Sequence, residues 1–201
     1  MEAAMLVFWD HGFEATSVDD LARAMGIHPS SLYATFGDKE ALFMAALDRY
    51  EENRLTYAVS LLQAPIPARL AFQRLFEAAT HELTRKDQPA GCMLTLALPN
   101  CSPAMEPLRA KLNKRRTEML NAFATRIRAA IRAKELPPST DATALARFLV
   151  ATLYGMSLFA RTGASRHDLM QVGEMALKAW PGAKGHNAHP KSHVSAGGQA
   201  R

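Results

Sequence analysis

Few of the polar residues in this 201-residue chain are spaced for catalysis. His81 and Glu82 are adjacent, but a helical metal or acid–base site needs a second ligand one turn on, where Arg85 stands. The plainer reading is a helix-surface or pocket residue. Cys92 and Cys101 could form a redox pair. No Lys or Arg lies close enough to lower either thiol's pKa, so they read instead as two buried thiols packing as small hydrophobes. Lys111, Lys114, Arg115 and Arg116 form a basic run that reads as a solvated helix face. His186, His189 and His193 belong to a solvated tail. No nucleophile–base pair, metal-ligand set or Gly-rich phosphate loop stands at a telling spacing, so no enzyme and no cofactor are indicated.

A different chemistry is written in residues 28–39. Pro29-Ser30-Ser31 would open a helix with small side chains, slim enough to enter a DNA major groove. Helix N-termini also point backbone N–H groups at phosphate. Tyr33 can offer a hydroxyl to a nucleic-acid backbone, and Lys39 a cation at the start of the next helix. His28 is either a helix cap or a base contact.

These residues need a frame. Residues 2–11 carry Ala4, Val7 and Phe8 up to a stop at Gly12. Ser17-Val18-Asp19-Asp20 is a capping box, and Val18, Leu21, Ala22 and Met25 follow on one helical face. Gly26 ends that helix, with Ile27 as a buried-type residue in the turn. Pro29 suits a first helical position. Asp38 caps a fourth helix, with Leu42, Phe43, Ala46, Leu47 and Tyr50 on one face, expected to run to about Leu62. A helix, a tight glycine turn and a second short helix make a helix-turn-helix.

The remainder reads as longer helices: 68–85, an apolar run from Cys92 to Leu98, a long helix ending near Lys134 before Pro137 and Pro138, then 141–161 and 166–179. Residues 182–201, rich in Gly, Ala, His, Ser and Lys, read as disordered. The 48% hydrophobic content suffices for a packed core. No apolar run reaches the roughly 18 residues of a membrane span, and no signal segment is visible, so a cytoplasmic protein without a membrane partner is expected. Phe72, Phe76, Met93, Met105, Met119 and Phe123 suit either plain core packing or an apolar ligand.

Charge does not single out the N-terminus as a DNA-binding end. The net charge is +5, yet residues 1–50 hold three basic residues against eight acidic ones, a balance of −5.

Residues 17–43, SVDDLARAMGIHPSSLYATFGDKEALF, nonetheless closely resemble the DNA-binding segment of the TetR family, and VFWDHGFEATS before them matches the end of its first helix and the following turn. Gly12, Phe13, Thr16, Leu21, Ala22, Gly26, Leu32, Tyr33, Phe36, Lys39, Glu40 and Leu42 carry the likeness. Gly91-Cys92 and the closing helix pair are similar to one subgroup. The resemblance implies an all-α fold of about nine helices. It has an N-terminal three-helix helix-turn-helix domain (1–46), a C-terminal ligand-binding and dimerisation domain (47–181) and a tail.

It further implies a homodimer that binds double-stranded operator DNA, closed by a four-helix bundle of the last two helices and their copies. A small-molecule effector would release it from DNA. Pro29, Ser30, Ala34 and Thr35 would face bases, with His28 beside them; Ser17, Ser31, Tyr33 and Lys39 would touch phosphate. The chain departs from the family in beginning only a few residues before Val7, so that either its start is an internal Met or the basic arm is absent. That departure and the acidic N-terminal balance motivate a competing reading: a ligand- or thiol-sensing helical dimer with impaired DNA binding.

Overall fold

The computed structural model describes residues 1–97, 102 and 105–182; Cys101 and most of the expected tail lie outside them. The described residues contain no strand. The first four helices are α1 (Glu2–His11), α2 (Val18–Met25), α3 (Pro29–Phe36) and α4 (Lys39–Tyr50). Their core is aromatic: Phe43 meets Phe8 edge-on at 5.0 Å and Phe13 at 5.3 Å, and Trp9 meets Tyr50 at 4.8 Å. Leu21, Leu32, Leu42 and Leu47 are fully buried beside them. Ile27 is not a core residue. It is 37% exposed, because Gly26 turns into the left-handed region (φ 66°) and lets the Ile27 N–H reach back to the Ala22 carbonyl while its side chain turns outward.

The single fourth helix expected to reach Leu62 is broken in register. After α4 comes a five-residue π-helical turn, Glu51–Leu55, and then α5 (Thr56–Gln63). A π turn holds one residue more than an α turn, so side chains on either side of it are rotated by roughly 100° relative to an unbroken helix. The rest comprises α6 (Ala68–Leu83), the short α7 (Met93–Ala97), α8 (Glu106–Arg132), α9 (Ala142–Arg161) and α10 (Arg166–Lys178). With α4, the π turn and α5 counted as one rod, nine helices stand among the described residues.

The second core lies between α6, α8, α9 and α10, around Phe72, which packs on Phe123 at 5.2 Å and Trp180 at 5.5 Å. Gly173 lets α10 close on α6, where an added Cβ would stand 3.0 Å from the Phe76 Cβ. Both serine–aspartate capping boxes form, at Ser17–Asp20 on α2 and Ser165–Asp168 on α10. The first turn of α6 instead takes its cap from far along the chain: the Ala68 N–H donates to Glu135 at 2.5 Å. Met93, Leu94, Ala97, Leu108 and Leu112, from α7 and α8, complete the core of the first four helices and join the two halves. α9 is long and apolar enough to span a membrane by length and composition alone, but one side of it packs on α8 and α10 within this fold.

Candidate nucleic-acid interface and effector pocket

α3 is held by its one fully buried side chain, Leu32, and presents the rest outward: His28, Ser30, Ser31, Tyr33, Ala34 and Thr35 are exposed, and Pro29 is half-buried at the first helical position. His28 is the N-cap residue but makes no side-chain cap; its Nδ1 lies 3.2 Å from the Ser30 hydroxyl. Thr35 donates its hydroxyl hydrogen to the Ser31 carbonyl at 2.8 Å, which leaves its methyl group and the acceptor lone pairs of its oxygen to meet a base. Tyr33 stands half exposed at the surface. The result is a slim helix with small polar groups at its leading end and an aromatic hydroxyl beside them, a shape that fits a major groove.

Two flanking residues are tied into the protein. Ser17 accepts from the Asp20 N–H and donates both its hydroxyl, at 2.5 Å, and its backbone N–H, at 3.2 Å, to the Asp20 carboxylate. These hydrogen bonds, the hydroxyl's first, hold the Asp20 carboxyl below its ordinary range. Lys39 donates from Nζ to the Thr16 carbonyl at 3.0 Å and lies 4.5 Å from the Phe13 ring centroid, half-buried at the rim of the same face.

Much of the acidic balance of residues 1–50 is paired with the body of the protein, while Asp20, bonded to Ser17, stays beside this face and Asp19 is exposed. Glu2 pairs with Arg54, Asp10 with Arg161, Glu40 with Lys111 and Asp48 with Arg115, while Glu14 accepts from the Ser102 N–H. Asp20 and Asp38 cap helices. Lys111, Lys114 and Arg116 are exposed, as a solvated face requires, but Lys111 also reaches Glu40 at 2.7 Å, and the half-buried Arg115 spans Asp48 and Glu51, clamping α8 to the rod at its π turn. Sequence reading missed these pairs because their partners lie tens of residues away. Burial lifts the Glu51 carboxyl above its usual range despite the opposing Arg115.

A cavity of about 70 Å³ lies between the rod and α6, α7, α8 and α9. Leu75, Ala79, Met119, Phe123 and Leu153 form its apolar side. Tyr50, Tyr57, Tyr154 and Cys92 converge on the other side. Burial raises all three phenols, Tyr154 to about 12, so they remain neutral donors. The charged lining residues already have partners: Arg54 pairs with Glu2, and Glu82 with Arg85 and His81. Gln88 Oε1 and Arg54 Nε are buried without a hydrogen-bond partner. The floor is pinned by Gly91 (φ 84°), whose added Cβ would stand 2.8 Å from the Ser157 carbonyl, and by the Cys92 N–H donating to the Ser157 hydroxyl at 2.8 Å. No group of three or more metal-ligating side chains occurs among the described residues.

Comparison with known proteins agrees with this layout. Residues 1–46 match the family model for bacterial regulatory proteins of the tetR family, and residues 68–173 match that of the tetracyclin repressor-like C-terminal domain. The HTH-type transcriptional repressor ComR of Escherichia coli K12 is 37% identical over 185 residues, covering 90% of this chain and 87% of ComR. A cysteine-substituted form of the regulator CifR, solved with 26-base-pair double-stranded operator DNA, is 37% identical with a TM-score of 0.85, over 90% of this chain and 94% of that one. A regulator from Rhodococcus sp. RHA1 is 36% identical with a TM-score of 0.62, over 89% and 96% of the two chains.

Proposed function

Because the chain belongs to the TetR family and is a DNA-binding transcriptional repressor, we propose that it works as a cytoplasmic homodimer released from its operator by a small molecule in the α4–α9 cavity. Pro29, Ser30, Ala34, Thr35 and His28 meet base edges. Ser31, Tyr33 and Lys39 hold phosphate, and Ser17 does so by exchanging a donor from Asp20. The single observation that carries this reading is the exposure of every small polar side chain along α3 around one buried anchor, Leu32.

The partner copy covers the outer face of α9 and α10, where Phe148, Phe159 and Met175 stand exposed. Two copies joined there carry two α3 helices, which fit half-sites one DNA turn, roughly 34–36 Å, apart. The cavity and α3 are linked by the rod: Tyr50, just before the π turn, and Leu55, its last residue, line the cavity, and α4 begins at Lys39. A ligand that favours a different rod position shifts the population towards a spacing that no longer matches the operator. With Glu2, Asp10, Glu14, Glu40 and Asp48 engaged by the body, the charge count weighs less in favour of the reading in which DNA binding is impaired.

Footprinting of the DNA immediately upstream of the gene tests the reading. Two protected half-sites related by a two-fold axis are expected; a single unpaired footprint, or none, would count against a dimeric repressor.

A further inference from the structure

Resting on the effector reading above, we propose that the cavity takes a small, uncharged, mainly apolar molecule carrying one polar oxygen, which accepts from the Tyr57 hydroxyl and donates to the Gln88 carboxamide oxygen.

Three observations select this class. The first is the state of the charges. Arg54 and Glu82 reach the lining already ion-paired, with Glu2 and with Arg85 and His81, so a charged ligand entering here loses its water without meeting an unpaired counter-ion, although the Arg54 Nε–H is buried without an acceptor and adds one donor to the polar side. The second is the pair of unmet polar atoms. Gln88 donates its Nε2 to the Glu82 carbonyl at 2.9 Å, which fixes the amide and leaves Oε1 buried with no donor. The Tyr57 hydroxyl, held neutral by burial, makes no hydrogen bond to any described residue. A hydroxyl satisfies both: its oxygen accepts from Tyr57 and its hydrogen goes to Gln88. The third is the division of the cavity, whose opposite side is Leu75, Ala79, Met119, Phe123 and Leu153 with no polar atom beyond the backbone. One polar end and one greasy end describe an aryl or branched alkyl alcohol better than a polyol, a carboxylate or an amine.

The experiment uses the full chain and four probes of one shape: 2-phenylethanol, ethylbenzene, phenylacetate and 2-phenylethylammonium, followed by calorimetric titration and thermal melting. The expected order is the alcohol binding about tenfold tighter than the hydrocarbon, a difference of one good hydrogen-bonding group, with neither ion binding. In Tyr57→Phe the alcohol's advantage shrinks at least about threefold while ethylbenzene affinity is kept, which also shows the cavity intact. Binding of either ion as tight as the alcohol, an unchanged preference in a folded Tyr57→Phe, or no binding of any probe would overturn the proposal. Operator binding without probe is measured alongside. Its presence with no probe binding condemns only the cavity chemistry; its absence while probes bind condemns the repressor reading instead.

Discussion

Lys39 donates from its ammonium to the Thr16 carbonyl oxygen at 3.0 Å, across 23 residues, and in doing so ties the turn after α1 to the first residue of α4. The same cation rests 4.5 Å from the Phe13 ring. Lys39 is thus a structural tie and a positive charge at the rim of the DNA face. The two roles separate by measurement. Lys39→Ala is expected to weaken binding to matched and scrambled duplexes alike, to lower the slope of log affinity against log salt by about one, and to lower the Tm. Tyr33→Phe should weaken both duplexes without lowering the Tm, since its ring is half exposed. A Lys39→Ala protein with unchanged salt slope would remove Lys39 from the phosphate contacts.

Thr35 tests base readout. With its hydroxyl hydrogen given to the Ser31 carbonyl, Thr35 offers DNA an acceptor oxygen and a methyl group, the natural partner of a thymine methyl. Thr35→Ser should relax preference at one base pair, by about 0.8 kcal/mol for the lost methyl contact, and leave scrambled-duplex affinity as it was. Binding to a set of single-position operator variants reads this directly; equal loss on matched and scrambled DNA would place Thr35 outside base readout.

How much of this could be read from the chain follows from the range of the forces involved. The capping box at Ser17–Asp20, the stop at Gly12 and the α3 surface are local, set within four or five residues, and were legible. The π turn at Glu51–Leu55 was not, because an unbroken apolar periodicity on both sides conceals a one-residue slip. Nor were Arg161 on Asp10, Arg115 on Asp48 or Glu135 on the α6 cap, since such pairs exist only once the chain is folded. The cavity residues were legible as apolar, but plain core and ligand wall share one periodicity.

Gly91→Ala combines an unfavourable positive φ with an approach of 2.8 Å to the backbone oxygen of Ser157, an atom that cannot swing aside. A loss of about 2–4 kcal/mol is expected, read by urea unfolding. Gly163, also at positive φ (99°) but with nothing near an added Cβ, should lose less on the same change. Equal losses at the two sites would mean that the contact with α9 contributes nothing.

Acid should reveal the caps. Hydrogen bonds from Ser17, from Ser165 and from the Ala144 and Thr143 N–H groups hold the carboxyls of Asp20, Asp168 and Asp141 below their ordinary 3.8. The folded values lie below the unfolded ones, so the unfolded chain takes up protons first as pH falls. The stabilisation is therefore complete above about pH 5 and fades as pH drops below about 4. Melts at pH 5, 4 and 3 should show a falling Tm, with a shallower fall for Asp168→Asn. An identical fall in that variant would assign the acid sensitivity elsewhere.

Arg115→Met removes the clamp between α8 and the π turn and leaves Glu51 half-buried without its cation. Operator affinity should change little, while effector-driven release becomes weaker or incomplete. Release curves of native and variant protein with one effector compare the two; coincident curves would show that the clamp takes no part in coupling.

The central claim, that this chain reads a specific DNA sequence through α3, is tested most directly by fluorescence anisotropy of the full chain. The probes are a duplex from immediately upstream of its own gene and a scrambled control, at two salt concentrations. Tighter binding to the native duplex at both, weakening as salt rises, is the expected result. Equal affinity for the two duplexes at both salt concentrations would contradict it.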